Sequence, residues 1–418
     1  GITITNNTIH GIRSANLPIG WNPTGITLEN ASGTVSDNTL SESFVTYGIC
    51  SFIDSGYSNL PAPPRILNNV ITNLYEPIVS GTSRDNRAII AMSPAAIEEN
   101  VITNTNYGIQ VQLVSAVGGP FDGDVTVHAN EIYDLRPGPE YGNSAALYLN
   151  TIQGQPSRVV TVSDNIVDGV NGDSNDARAL VTWVTSAGTI SWLNNTITGY
   201  GEGLNFRQNL AATLIDGNSF SLSAIENDPT ETEIGIWLRE GSIGTFSNNT
   251  IDGYDTNFYL PGTSDGVIIS CNDILNATEY GIHLTAETGF PNLNVYVRFN
   301  NIIGNQAAGL QVETSVHAGS VFAEDNWWGD EDGPAGNGPG DTGDAVFGDI
   351  DYSPWFLTEI GDPCPPAATP TPDPTETPAN TPTPTPSTPP GTPTPTPTPL
   401  PVPTSGPIGI GFLLLTLS

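Results

Sequence analysis

The chain has 418 residues, and its 44 acidic residues stand against 10 arginines and no lysine, which gives a formal net charge of −34 at pH 7. Phosphate groups are bound by clustered positive charge, so this composition argues against nucleic acid and against an anionic membrane surface as partners. A solvated extracellular surface and a surface that collects cations are both compatible with the charge. The length would allow two or three ordinary domains, but a repeat protein grows in one dimension and need not be divided.

An asparagine with an apolar residue three positions before it and another two positions after it recurs twelve times, at steps of 23 to 35 residues. Apolar side chains with a period of two before the asparagine are typical of a strand with one buried face. Each unit therefore predicts a strand, an asparagine corner and a second strand. The twelve residues, which we call the ladder asparagines, are Asn7, Asn38, Asn69, Asn100, Asn130, Asn165, Asn195, Asn218, Asn249, Asn272, Asn300 and Asn326.

A third strand follows in most units, announced by a glycine and an aliphatic residue, as at Gly108-Ile109 and Gly203-Leu204. Three short strands per turn without helices predict an all-β fold, a right-handed parallel β-helix of about 12 turns formed by a single chain. We expect asparagine at the corner because it tolerates a left-handed backbone, and because its amide can bond to the turns above and below. Neighbouring ladder asparagines should lie about 5 Å apart along one edge.

Two other interpretations of these asparagines compete with the ladder. Asparagine is common in ordinary turns, and Asn6, Asn194 and Asn248 begin Asn-x-Thr sequons that are typical of surface glycans. Neither interpretation accounts for apolar residues at both flanking positions.

The composition changes three times along the chain. We predict β-helix repeats over residues 1–326, a capping segment over 327–363, a Pro/Thr-rich disordered stalk over 364–405 and a truncated hydrophobic sorting or anchor segment over 406–418. The last segment is too short to span a bilayer as it stands, and it would be the only contact with a membrane. Before Gly1 we expect a further portion that held the export signal and an N-terminal cap.

Cysteine and histidine spacing predicts neither a disulfide framework nor a metal site. Cys50 and Cys271 belong to turns far apart, and Cys364 lies outside the repeats. The four histidines lie in different turns. Calcium is one possibility for the glycine-rich capping loop, which carries Asp330, Asp332, Asp341 and Asp344, and a solvated cap is the alternative.

The end of the repeats carries a more specific resemblance. Asn326-Trp327-Trp328-Gly329-Asp330, followed by Asp351-Tyr352-Ser353-Pro354-Trp355, resembles the closing segment of secreted bacterial right-handed parallel β-helix repeat proteins, a group related to the pectate-lyase-like and NosD-like β-helices. The resemblance covers about residues 1 to 357. It implies a β-helical fold and a secreted or cell-surface location, but no single reaction. The large rings of Trp327, Trp328, Trp355 and Phe356 are expected to cover the last turn.

Aligning the third strand across the turns places two series of outward side chains on one face. Aromatic rings can stack on sugar faces, arginines can bind carboxylates, and the turns repeat at about the length of one sugar unit. The sequence therefore predicts a glycan-binding face, and its alternative is a surface row that stabilises itself by stacking. The predicted binding residues are Tyr148, Trp183, Asn205, Arg207, Trp237, Arg239, Tyr259, His283, Gln311 and Glu313.

Two functions remain open on this basis. The first is a monomeric secreted or cell-surface protein that binds polysaccharide or cell-envelope glycan, or that serves as an adhesive or architectural rod. The second is a polysaccharide lyase or glycoside hydrolase acting on the third sheet. The resemblance implies an arginine as the base of a lyase, with Arg207 or Arg239 as candidates, whereas a hydrolase would need two carboxylates about 5 to 9 Å apart.

Overall fold

The computed structural model describes residues 1–12, 24–43, 47–53, 62–74, 86–113, 123–135, 144–150, 158–169, 178–185, 188–209, 212–222, 232–262, 266–285, 290, 292–313, 320–361 and 364. The chain divides into two units, Gly1–Ala367 and Ala368–Ser418, and the described residues all belong to the first. They contain no helix, and therefore none that is a candidate for crossing a membrane. The predicted Pro/Thr-rich stalk, apart from Cys364, and the apolar segment 406–418 lie outside the described residues.

The described residues form 36 strands. In chain order these are β1 (Ile2–Thr5), β2 (Thr8–His10), β3 (Thr24–Glu29), β4 (Gly33–Ser36), β5 (Thr39–Ser43), β6 (Tyr47–Phe52), β7 (Arg65–Leu67), β8 (Val70–Leu74), β9 (Arg87–Met92), β10 (Ala96–Glu98), β11 (Val101–Thr103), β12 (Tyr107–Gln112), β13 (Val125–His128), β14 (Glu131–Tyr133), β15 (Ala145–Asn150), β16 (Val159–Ser163), β17 (Ile166–Asp168), β18 (Arg178–Thr185), β19 (Thr189–Leu193), β20 (Thr196–Thr198), β21 (Glu202–Asn209), β22 (Ala212–Asp216), β23 (Ser219–Ser221), β24 (Ile234–Arg239), β25 (Thr245–Ser247), β26 (Thr250–Asp252), β27 (Thr256–Leu260), β28 (Val267–Ser270), β29 (Asp273–Leu275), β30 (Tyr280–Leu284), β31 (Val295–Arg298), β32 (Asn301–Ile303), β33 (Ala308–Val312), β34 (Val321–Phe322), β35 (Pro334–Gly336) and β36 (Gly343–Phe347).

These strands form three parallel sheets, in which the strands of each turn pair with their counterparts in the neighbouring turns and β35 pairs with β36 in the cap. The first sheet has 12 strands, from β1 and β4 to β34, and the second has 11, from β2 and β5 to β32. The third has 13 and runs from β3 and β6 through β33 to β36 and β35. The right-handed parallel β-helix predicted from the repeats is confirmed.

Apolar side chains from all three sheets fill the interior of the coil, and several strands contribute two, such as Val160 and Val162 of β16. Most of the residues that flank the ladder asparagines are buried, as predicted: Val162 and Val167 flank Asn165, and Trp192 and Ile197 flank Asn195, all with no exposed surface. In the first turn, Ile4 and Ile9 are only partly buried. The third strands add residues such as Leu204 to the same core. A period of two along each strand thus produces one continuous core along the rod.

The ladder asparagines form an unbroken chain of side-chain hydrogen bonds. Each Nδ2 donates to the Oδ1 of the next ladder asparagine at 2.8 to 3.0 Å, from Asn7 to Asn326. The same Oδ1 also accepts the backbone N–H of the preceding ladder asparagine, as Asn195 Oδ1 does from Asn165 at 3.1 Å. The predicted ladder along one edge is confirmed.

The left-handed residue at the corner is not the ladder asparagine itself, and this part of the prediction is wrong. The residue before each ladder asparagine has the positive φ, between 52° and 68°. It turns the chain, so that the asparagine after it points into the corner and its amide can pair. The position accepts Ala129 and Phe299 as well as asparagine and aspartate, because its side chain does not have to pair with the next turn.

Two tryptophans of the cap pack on the end of the core. Trp328 is fully buried in the core, while Trp355 packs partly against it and donates from Nε1 to the carbonyl of Glu331 at 3.2 Å. Asp344, placed among the calcium candidates, accepts hydrogen bonds from Gly304 N at 2.9 Å and from Asn305 N at 3.0 Å. Within the described residues, no group of three or more His, Cys, Asp or Glu side chains is placed to hold a metal ion.

Cys271 and Cys364 form a disulfide with their Cα atoms 5.8 Å apart, so the expectation of no disulfide is wrong. After the cap, the chain returns to the ladder edge, where Asn301 Oδ1 accepts the backbone N–H of Ile360 at 2.8 Å. Cys271 occupies the left-handed position before Asn272. The returning segment brings Cys364 next to Cys271. A cysteine outside the repeats can therefore form a disulfide with one inside them.

Replacing a ladder asparagine in the middle of the rod should be costly. Asn195→Ala leaves the buried carbonyl of Val162 and the amides of Asn165 and Asn218 short of partners. We expect the free energy of unfolding in chemical denaturation to fall by about 2 to 4 kcal/mol. The matched control is Asn194→Gly at the adjacent exposed left-handed position, where we expect a change within about 1 kcal/mol. Equal effects of the two changes would contradict the ladder's role.

Thiol labelling tests the disulfide and the buried cysteine together. Burial raises the pKa of Cys50 to about 12, so its thiol lacks the reactive thiolate form. We expect no labelling of the native protein at pH 8, labelling of Cys271 and Cys364 after reduction, and labelling of Cys50 only after unfolding. Labelling of Cys364 without reductant would show that the disulfide is absent.

Candidate functional site

The outer face of the third sheet carries the two predicted series of side chains in register. In the first, which we call the middle column, successive residues pair in the order Gln110, Tyr148, Val181, Asn205, Trp237, Tyr259, His283 and Gln311. In the second, the trailing column, the order is Gln112, Asn150, Trp183, Arg207 and Arg239. Glu313 stands two residues beyond Gln311. The register predicted from the glycines is therefore confirmed.

Trp183 and Arg207 form the first contact of the exposed part of the site. The guanidinium of Arg207 lies 4.8 Å from the centre of the Trp183 ring, in the geometry of a cation–π pair. Trp183 is 38% exposed, whereas other large rings of this protein, such as Trp192 and Trp328, are fully buried. One tryptophan ring is thus held in place and left open to solvent.

Glu240 joins the two arginines of the site. Its Oε1 lies 2.6 Å from Arg207 Nε and 3.8 Å from Arg239 Nε, and its side chain is only 9% exposed. Arg239 in turn lies 4.5 Å from the ring centre of Trp237. Each arginine therefore has a tryptophan ring on one side and shares one buried carboxylate with the other.

The row of rings continues from Trp237 along the middle column. The ring centres of Trp237 and Tyr259 are 6.0 Å apart, and those of Tyr259 and His283 are 5.7 Å apart. At the end of the row, His283 Nε2 lies 3.4 Å from Glu313 Oε1. Seven of the ten predicted residues, from Trp183 to Glu313, are joined directly or through Glu240.

Three predicted residues stand apart from this row. Tyr148 is 8% exposed and packs with Tyr107 and Val181 in a small second cluster, so its ring offers little surface to a ligand. Asn205 is 4% exposed and donates from Nδ2 to Glu202 at 2.8 Å. Gln311 is partly buried in the last rung of the middle column.

A third outward series, the leading column, was missed by the sequence analysis. It lies three residues before the middle column, and it includes Arg178, Glu202 and Tyr280. Arg178 Nε pairs with Glu202 Oε2 at 2.6 Å, and the Tyr280 ring lies 4.2 Å from that of His283. The glycine of the third strand was the sequence signal for this column. A Cβ on Gly203 would collide with core atoms, so Gly203 and Leu204 both face inward. The residue before them, Glu202, therefore faces outward.

Chemically, the site offers stacking surfaces and balanced charges. Among the described residues, Glu240 is the carboxylate that contacts Arg207 and Arg239, and it is ion-paired with both. Glu202 is paired with Arg178, and Glu313 lies beside His283. A hydrolase needs one carboxyl group to act as acid and another as base or nucleophile.

A cavity of about 410 Å³ lies apart from this face, at the ladder edge. Its walls come from three successive corners and from the returning segment, and they include Asn248, Asp273, Asn301 and Glu359. None of the predicted binding residues lines it.

The comparison with protein families gives one match. A family model described as a right handed beta helix region matches residues 150–324. This stretch includes the contacting residues from Trp183 to Glu313 and the leading column beside them, which together we call the exposed row. The site therefore lies on the part of the chain that is similar to that family. The comparison with curated proteins gives no match, and the comparison with solved structures gives none. The match supports the fold and carries no information on a ligand or a reaction.

The protonation of His283 can be predicted from its surroundings. Burial lowers the pKa of His283 below 6.5, although the nearby carboxylate of Glu313 acts in the opposite direction. We expect NMR titration to give a pKa below 6.5, and Glu313→Gln to lower it further. The depressed pKa means that the neutral ring's contribution to stability is present above pH 6.5 and is lost as the pH falls through the folded-state pKa. A pKa above 6.5, or one raised by Glu313→Gln, would contradict this assignment.

Proposed function

We propose that the protein binds an extended polysaccharide along the exposed row of the third sheet, with Trp183 and Trp237 as its stacking surfaces. The observation that carries the proposal is that the two tryptophans are each braced by an arginine, at 4.8 and 4.5 Å, on one continuous face. Trp183 and Trp237 lie two rungs apart, which corresponds to about 10 Å along the rod. Two units of an extended sugar chain would fit between them.

Fixing both rings before the ligand arrives favours binding. A tryptophan on a mobile loop would lose conformational freedom on contact with a sugar, whereas a ring held by an arginine has already lost it. Ion pairing through Glu240 fixes the two arginines in turn. The same contacts are also compatible with a face that only stabilises the fold. The two roles can be distinguished, because removal of the rings weakens ligand binding only if the face binds a ligand.

A secreted or cell-surface location forms part of the proposal. The disulfide between Cys271 and Cys364 supports it, because disulfides persist mainly in oxidising compartments. The acidic composition without lysine is in keeping with a solvated surface outside the cell. An adhesive or architectural role would use the same face.

Binding assays with a panel of plant, algal and bacterial polysaccharides test the proposal. We expect Trp183→Ala combined with Trp237→Ala to weaken binding by roughly 5- to 150-fold, the equivalent of about 1 to 3 kcal/mol for two ring contacts. The matched control is Tyr296→Ala, which removes an outward ring that stacks on Phe322 in the first sheet. It should leave the affinity unchanged.

The same assay addresses a lyase or hydrolase. New reducing or unsaturated ends that disappear in Arg207→Ala or Arg239→Ala would replace the binding proposal with catalysis. Binding lost equally in the Tyr296 control would mean that the third sheet is not the site.

A further inference from the structure

The arginines of the exposed row are neutralised within the site. Arg207 and Arg239 share Glu240, and Arg178 pairs with Glu202 at 2.6 Å. At the far end, Glu313 is 49% exposed and adds a negative charge beside His283. Three arginines are therefore matched by three glutamates, and the row as a whole has no surplus of positive charge.

Part of the carboxylate-binding edge of Arg207 is already occupied by Glu240. Arginine recognises a carboxylate through the edge of its planar fork, and the Nε of Arg207 lies within 2.6 Å of Glu240. The flat face of the guanidinium lies over a tryptophan ring in both Arg207 and Arg239. A ligand carboxylate that bound Arg207 at Nε would have to displace Glu240, whose side chain is only 9% exposed.

The long-range field acts in the same direction. The chain carries a formal net charge of −34, and such a surface repels a polyanion at distances up to about a Debye length, roughly 10 Å at 0.1 M salt. A site that had evolved for an acidic polymer would be expected to carry a local positive patch to overcome this repulsion. Among the described residues of the exposed row, Arg178, Arg207 and Arg239 are each ion-paired with a glutamate, so no unpaired arginine there faces the ligand.

We propose, on the basis of the proposed function, that the ligand of the exposed row is an uncharged polysaccharide with flat ring faces, and that Glu240 disfavours acidic polymers by pairing with both Arg207 and Arg239. In this arrangement the arginines orient the tryptophans and do not bind the ligand's acid groups. Glu240 is a specificity-determining residue, because its charge decides which polymers the face accepts.

Two pairs of polymers with the same backbone, of which one member is uncharged and the other acidic, test the inference. The first pair is fully methyl-esterified and fully de-esterified polygalacturonan of equal length, and the second is a neutral glucomannan and its carboxymethylated derivative. We expect the wild-type protein to bind the uncharged member of a pair at least about tenfold more tightly at low salt, and the difference to shrink as salt screens the repulsion. Tighter binding of the charged member by the wild type would overturn the inference while leaving the proposed function intact.

The variant Glu240→Gln tests the mechanism. It removes the neutralising charge, and the affinity for the charged member relative to the uncharged one should rise about tenfold. Glu202→Gln, which releases Arg178 instead, provides a second variant should the first fail to fold, as judged by circular dichroism. An unchanged ratio in both folded variants would overturn the role of the glutamates. Binding to no polymer of either pair or of the wider panel would overturn the proposed function, and this inference with it.

Discussion

A hydrogen bond between the side-chain amides of buried asparagines joins each turn of the rod to the next, and the other features of the structure depend on it. Each bond contributes only about 1 kcal/mol net, but an amide left unpaired in the buried corner would cost more. A slip of one residue in any turn would break the chain of bonds and turn the apolar residues outward. Loops can therefore vary, with steps from 23 to 35 residues between ladder asparagines, while the register of the strands stays the same.

This register decides which distant residues become neighbours on the surface. Trp183 and Arg207 pair because their strands are stacked in adjacent turns, as do Arg207 and Arg239. A β-helix thus repeats a chemical pattern along its length without a repeated sequence, provided that the corners hold. On the third sheet the outcome is a row of rings and ion pairs that is locally neutral, on a chain that is strongly acidic overall.

Much of this was predictable from the sequence, because the ladder positions show which residues share a face. The strands, the buried flanking residues and the middle column follow from the asparagines and the glycines. The left-handed residue could not be identified in this way, since the backbone turn and the amide pairing belong to adjacent positions that are both often asparagine. The leading column could not be predicted because Gly203 and Leu204 both face the core. This breaks the alternation of inward and outward side chains that is assumed for a regular strand. The disulfide and the burial of Tyr148 depend on contacts between segments far apart in the chain, and no local pattern records them.

We propose that the ladder aligns a ligand-binding row on the third sheet. A crystal structure of the protein with a bound neutral oligosaccharide tests this most directly. We expect sugar rings stacked over Trp183 and Trp237, along the rod axis, with Glu240 still paired to Arg207. A ligand seated instead in the cavity beside Asn248 and Glu359, or on the first or second sheet, would contradict it.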